Sequence, residues 1–153
     1  MGRVTMEIKN CALKIASRHE TRDPIRIAKE LGFVLIFTPL VDIRGYYQYL
    51  KRCHVIYINN ELDEYNRRFV CAHELGHFFL HRHMNRIFMD TRTQFVTSRY
   101  EREADKFAVD LIFDDYELQD YLDESLPSIA QSLGISYELA EYRMSTVQPS
   151  FYF

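Results

Sequence analysis

The chain has 153 residues, of which 47% are hydrophobic and 27% are charged, as in an ordinary globular protein. This length predicts one domain, residues 1–153, with a hydrophobic core of its own. The net charge of −3 gives no electrostatic reason to expect nucleic acid or an anionic membrane as the main partner.

Targeting and redox signals point to the cytoplasm. The sequence has no apolar run of about 18 residues, so no transmembrane helix is predicted, and residues 1–10 lack the apolar segment of a signal peptide. Cys11, Cys53 and Cys71 are an odd number and form no C-x-x-C pair. Such a set is typical of a reducing compartment.

Two helices are predicted at the start of the chain. Apolar residues at helical spacing extend from Val4 to about His19. Asp23 as the N-cap and Pro24 in the first turn then begin a second helix, which Gly32 ends.

A small sheet is predicted next. The segments Phe33–Phe37, Ile43–Leu50 and His54–Ile58 are rich in β-branched and aromatic residues. We expect a mainly antiparallel sheet that includes a hairpin. His54 is expected to be a packed or surface residue and not a metal ligand.

The sequence that follows carries the strongest chemical signal. His73-Glu74-Leu75-Gly76-His77 is an H-E-x-x-H motif inside an apolar stretch that predicts a buried helix from about Leu62. Residues four apart on a helix lie about 40° apart around its axis and about 6 Å along it. His73 and His77 can therefore bind one metal ion, with Glu74 as the general base, which is the arrangement of zinc hydrolases.

A second helix is expected to complete the site. Residues 82–98 are polar and predict a loop over the cleft, and a helical apolar stripe follows from Ala104 to Ile112. The small alanines in this helix would allow close packing against the H-E-x-x-H helix. Glu101 is then the predicted third zinc ligand, and Asp105, one turn later, is expected to accept the outer N–H of a ligating histidine.

Two histidines compete with Glu101 for the third position. His83 has the spacing of the metzincin pattern, but Leu80 stands where that pattern requires glycine. His81 lies one turn beyond His77, where it would line the cleft or bond a carboxylate behind the ligands. The glutamate is preferred to both.

The last third of the chain predicts a helical hairpin. Ser128–Arg143 reads as helix, glycine turn and helix, with Ser136 as the N-cap of the second helix. The pattern resembles a helix-turn-helix, but its second helix has two glutamates and one arginine, which favours a packing role over DNA reading. We therefore expect a catalytic core over about residues 1–122 and a hairpin over about 123–147.

The string R-F-V-C-A-H-E-L-G-H-F-F-L-H, followed by E-R-E-A-D-K-F-A, resembles the ImmA/IrrE family of metallopeptidases. The resemblance implies an α+β fold: a minimal zincin-like core, with a small antiparallel or mixed sheet packed on the H-E-x-x-H helix and a second ligand helix, and a helix-turn-helix-like C-terminal segment. By the family pattern, His73, His77 and Glu101 bind Zn²⁺ and Glu74 is catalytic. The chain departs from the family pattern at two places. It has Asp105 where the family commonly has asparagine, and Leu111-Ile112-Phe113-Asp114 where the family commonly has Leu-Leu-Met-Pro.

The resemblance also implies a biological role. Many family members act as anti-repressors that cleave or inactivate a helix-turn-helix repressor of a phage or mobile element, so the expected partner is such a repressor encoded nearby. The alternatives are a non-proteolytic protein that sequesters a repressor, or a toxin–antitoxin component, with a structural zinc site. Direct DNA binding through Ile129–Arg143 is a third reading, which the charge balance disfavours.

Overall fold

The computed structural model describes residues 2–81 and 94–147. The two helices predicted at the start are present as α1 (Gly2–His19) and α2 (Pro24–Glu30). Asp23 caps α2 by accepting a hydrogen bond from the backbone N–H of Ile25. Gly32 follows α2 with φ of +82°, a conformation that glycine adopts without strain.

Three strands form one mixed sheet: β1 (Val34–Thr38), β2 (Gly45–Leu50) and β3 (Cys53–Asn59), in the order β1-β3-β2. β2 and β3 are the predicted antiparallel hairpin, and the turn residues between them, Lys51 and Arg52, both have positive φ. β1 instead pairs with β3 in parallel. The sheet is therefore mixed, which is one of the two forms expected, and the antiparallel expectation is wrong for the β1–β3 pairing.

Two more long helices follow the sheet. α3 (Glu64–His81) contains the H-E-x-x-H motif and packs on β2 and β3, while its other side packs on α4 (Gln94–Ile112). α1 lies against α4, and α2 against α3. The prediction of a loop up to residue 98 is wrong in its last part, because residues 94–98 already belong to α4. Residues 82–93 and His83 lie outside the described residues.

The core lies between the sheet and these helices. Its centre is formed by fully buried side chains from β3, α3 and α4: Ile56, Ile58, Leu75, Phe107 and Leu111. His54 on β3 is half-buried, and its ring stacks on Phe33 with 5.0 Å between centroids. This contact confirms the expectation of a packed residue.

The chain continues through α5 (Asp115–Leu118) and a short 3₁₀ helix (Gln119–Tyr121) to α6 (Leu126–Leu133) and α7 (Tyr137–Met144). Gly134 ends α6 with φ of +69°, and Ser136 caps α7 by accepting from the N–H of Leu139. The helical hairpin is thus present where predicted.

The hairpin packs on α4 through α7, and the side chain of Arg143 on α7 is only 1% exposed. An arginine in this position cannot reach DNA without leaving the core. Glu138 and Glu141 are the charged residues that α7 exposes. These observations favour a packing role for the hairpin.

The described segments, 2–81 and 94–147, contain no helix with both the length and the apolar character needed to cross a membrane.

Candidate metal centre

The centre forms beside a close approach of α3 and α4. A Cβ atom added to Gly76 would lie 3.1 Å from both the Cα and the carbonyl oxygen of Ala104. The two backbones are therefore in near contact, and small residues on both helices permit it. Glu101 lies three residues before Ala104, about one turn, so its side chain can reach the face of α3 that carries His73 and His77.

Three side chains converge at this point. His73 Nε2 lies 3.0 Å from Glu101 Oε2, His77 Nε2 lies 2.8 Å from Glu101 Oε1, and the two imidazole Nε2 atoms are 3.1 Å apart. Among the described residues, these three form the one group of histidine, cysteine or acidic side chains close enough to share a metal ion.

The donor set fits a divalent cation. Two imidazoles and one carboxylate, with a fourth position left for water or substrate, are the ligands of many catalytic zinc sites. A tetrahedral ion with bonds of about 2.0 Å has ligand atoms about 3.3 Å apart. The observed separations, 2.8 to 3.1 Å, lie within about half an ångström of that spacing.

His73 is held on both ring nitrogens by carboxylates. Its Nδ1 lies 2.7 Å from Asp105 Oδ1, the contact expected for a ligating histidine, and its Nε2 faces Glu101. Burial lowers the pKa of His73, but the hydrogen bonds with Asp105 and Glu101 outweigh burial and raise that pKa to about 10 in the metal-free chain. The surroundings of this ring therefore stabilise positive charge, whether a proton or a cation supplies it.

Glu101 carries the complementary charge. Hydrogen bonds from His73 and His77 lower the pKa of its carboxyl group far below the usual range, so the group is ionised at neutral pH. Its side chain is 52% exposed, in contrast to the two histidines, whose side chains are 16% exposed. The carboxylate therefore lies at the open side of the centre, where a substrate can approach.

Glu74 lies on the side of α3 that packs under β2. Val70, one turn before it, contacts β2 at Gly45, and Phe78, one turn after it, has its ring 6.3 Å from that of Tyr47 on β2. Residues four apart share a helix side, so Glu74 lies between these contacts. Its side chain is buried, and its charge acts to raise the pKa of His73. The shielded carboxylate of Glu74 is therefore close enough to His73 to act on its charge.

Comparison with known proteins gives evidence of a different kind, from sequence similarity. Residues 28–145 match the sequence model of the peptidase family described as the IrrE N-terminal-like domain. The chain belongs to the ImmA/IrrE family. The resemblance drawn from the motifs is thereby confirmed, and the α+β architecture is consistent with a zincin-like domain of this family.

Two relatives match nearly the whole chain. One is an uncharacterized immunity region protein 2 of Bacillus phage phi105, 37% identical over 139 residues, which span 89% of this chain and 88% of the relative. The other is metallopeptidase ImmA of Bacillus subtilis (strain 168), 27% identical over 146 residues, which span 92% of this chain and 85% of the relative.

Sequence reasoning missed one part of the centre. His81 is expected to line the cleft or bond a carboxylate, and Glu103 Oε1 does lie near it, 3.5 Å from its Nε2. The contact that was not predicted is the one between His81 Nδ1 and His77 Nδ1, at 3.1 Å. The spacing of four residues between His77 and His81 was the available signal. Which carboxylate of α4 lies near His81 depends on how α4 is rotated relative to α3. The sequence pattern of either helix alone does not contain that information.

Proposed function

We propose that the chain is a zinc-dependent endopeptidase. The observation that carries this proposal is the convergence of His73, His77 and Glu101 beside the buried carboxylate of Glu74, in a chain that belongs to a peptidase family. A structural zinc site usually has four protein ligands. Three ligands and a partly exposed carboxylate instead favour a site that leaves one position for water or substrate.

Each site residue has a distinct role in this proposal. His73, His77 and Glu101 would hold the zinc ion, and Asp105 would orient His73. Zinc supplies Lewis-acid activation of water and of the scissile carbonyl when it is bound. Glu74 accepts a proton from the water that adds to the carbonyl carbon, and delivers it to the leaving amine nitrogen as the C–N bond breaks.

The sheet suggests how a peptide substrate binds. β2 is an outer strand of the sheet and packs over the side of α3 that carries Glu74. Its outer edge can pair with an extended segment, which main-chain hydrogen bonds would hold without demanding a particular sequence. We propose that substrates bind along β2 in an extended conformation.

The proposed substrate is a helix-turn-helix repressor of a phage or mobile element. Support comes from the two relatives, one named as an immunity region protein of a phage and the other as metallopeptidase ImmA. Cleavage or inactivation of the repressor would relieve repression. The helical hairpin is not proposed to bind DNA, because Arg143 is buried and α7 exposes glutamates.

The test uses a repressor encoded beside this chain's gene. We expect wild-type protein and a Glu138→Gln control, which changes an exposed glutamate of α7, to yield the same repressor fragments. Glu74→Gln should yield none while it retains bound zinc, since that substitution removes the base and leaves the three ligands. Fragments of normal yield from Glu74→Gln would refute the mechanism.

The same variant separates proteolysis from sequestration. If Glu74→Gln relieves repression in cells as fully as the wild type, the chain acts by binding and its zinc is structural. Loss of relief together with loss of cleavage supports the peptidase.

A further inference from the structure

The two proposed histidine ligands are supported in different ways. His73 Nδ1 meets the carboxylate of Asp105 directly, at 2.7 Å. His77 Nδ1 instead meets another imidazole, with His81 Nδ1 at 3.1 Å. Behind that ring, His81 Nε2 lies 3.5 Å from Glu103 Oε1. The outer nitrogen of His77 thus meets a second histidine, and the carboxylate of Glu103 lies beyond that ring without a hydrogen bond to it.

The side chain of His81 is held firmly in this position. It is 5% exposed, and its ring packs against the ring of Tyr100 in an edge-on geometry, with 4.7 Å between centroids. Glu103, whose side chain is 17% exposed, also lies 3.7 Å from the guanidinium of Arg99. Packing of this kind restricts rotation of the His81 ring and keeps its Nδ1 directed at His77.

When metal is bound, only one placement of the protons on His77 and His81 is compatible with these contacts. A ligating imidazole offers the lone pair of one nitrogen to the metal and carries its proton on the other. His77 faces the centre with Nε2, so its proton lies on Nδ1 and is donated to His81. His81 must then accept at Nδ1 and carry its own proton on Nε2, the atom that faces Glu103.

We propose that His81 is a positioning residue that fixes the tautomer and ring orientation of His77 for metal binding. The inference rests on the metal site of the proposed function and adds to it the residue that prepares one of its ligands. His81 does not touch the metal or the substrate. Its effect on catalysis passes entirely through His77.

Zinc affinity of the metal-stripped protein, measured by competition with a chromophoric chelator, tests the proposal. His81→Leu removes the acceptor and should weaken zinc binding roughly 10- to 100-fold, the usual cost of losing a partner behind a ligand. His81→Asn places an amide oxygen near the position of Nδ1 and should restore affinity to within about threefold of wild type, since the acceptor is the group that matters.

The chain offers a matched control. His19 is also largely buried and also contacts a carboxylate, with Nδ1 3.2 Å from Glu30 Oε1, but it lies at the end of α1 and outside the centre. His19→Leu should leave zinc affinity unchanged. Equal losses in the His19 and His81 variants would show a general effect of removing a buried histidine and would overturn the proposal.

A spectroscopic measurement does not depend on any variant. Long-range ¹H–¹⁵N spectra of the zinc-loaded wild type should show His77 protonated on Nδ1 and His81 protonated on Nε2. A proton on His81 Nδ1 would overturn the proposal, because that atom could not then accept from His77. This readout remains decisive if His81→Leu fails to fold.

The outcomes separate this inference from the function on which it rests. If the wild type binds zinc and both His81 variants bind it equally well, the positioning role is wrong and the metal site remains. If neither the wild type nor the Glu101→Ala variant binds zinc, the proposed metal site is wrong, and the proposed role of His81 is wrong as well.

Discussion

Removal of the buried arginine of α7 should destabilise the whole protein. Arg143 is 1% exposed and donates through Nη2 to Asp115 Oδ1 at 2.6 Å and to the carbonyl oxygen of Phe113 at 2.7 Å. Its Nε also lies 3.7 Å from Asp110 Oδ1. When the arginine is lost, Asp115 keeps a second cation, Lys9, and the carbonyl oxygen of Phe113 keeps a longer hydrogen bond from Arg22 at 3.4 Å. The buried carboxylate of Asp110 loses its ion-pair partner.

The size of the effect follows from these contacts. Loss of one partner from a buried ion pair costs about 3–5 kcal/mol, because it leaves buried charge uncompensated. We expect Arg143→Met to lower the free energy of unfolding by about that amount, a large part of the roughly 5–15 kcal/mol of a typical protein. In a chain of this length the unfolding midpoint should fall by roughly 6–20 °C.

Urea denaturation followed by circular dichroism measures this change, with all proteins metal-free. Arg26→Met is the matched control, since Arg26 also pairs with a carboxylate, Glu30 at 3.0 Å, but is 58% exposed. Exposed pairs of this kind contribute about 0–1 kcal/mol. Similar losses in both variants would refute the reasoning.

The same titration tests whether residues 1–153 form one domain, as we propose. A single shifted transition supports it. A small early transition that leaves the main one unchanged would show that the hairpin unfolds separately.

Two further predictions concern the contact between α3 and α4. Gly76→Ala should lower the free energy of unfolding by about 1–3 kcal/mol in urea, although alanine favours helices, because its Cβ would lie 3.1 Å from backbone atoms of Ala104. Zinc affinity should rise about tenfold per pH unit from pH 6.5 to 9, since the proton on His73, whose pKa is raised to about 10, must leave before metal binds. Chelator competition at several pH values checks this, and Asp105→Asn should flatten the slope.

Local signals in the sequence predicted most helix boundaries and all three strands. Asp23, Ser136 and Gly134 act at helix ends through their own side chains or backbone conformation, so their roles can be read without tertiary structure. The parallel pairing of β1 could not be read in this way, because the strand's composition does not encode the direction of its partner. That direction depends on where α2 and the following connection place β1.

The start of α4 was misjudged for a related reason. Val96 and Thr97 are β-branched and have modest helix propensity, so residues 94–98 show no helical signal by themselves. The helix that includes Ala104 and Phe107, both fully buried, extends back through them. Extending an existing helix costs less free energy than starting a new one, so a stable buried helical segment can extend into neighbouring residues of low helix propensity.

The centre shows which distances within a site can be predicted from the sequence. His73 and His77 come from one helix, so their separation follows from helix geometry alone. Glu101 comes from another helix, and its distance from them depends on how closely α3 and α4 approach. The alanine spacing indicated that approach and thereby favoured Glu101, but it carried no information on which carboxylate would lie behind His81.

The donors of the centre are therefore spaced by the same contact that forms part of the core. Gly76 and Ala104 bring the two backbones into near contact, and Phe107, one turn further along α4, is fully buried. Packing at this contact determines the distance from Glu101 to the two histidines. Conversely, a cation that binds only the folded chain stabilises it by about 4 kcal/mol at a concentration 1,000 times its Kd, and it does so by holding α3 and α4 together. On the proposed function, metal affinity and core packing are thus linked, and a substitution that separates the two helices should weaken both.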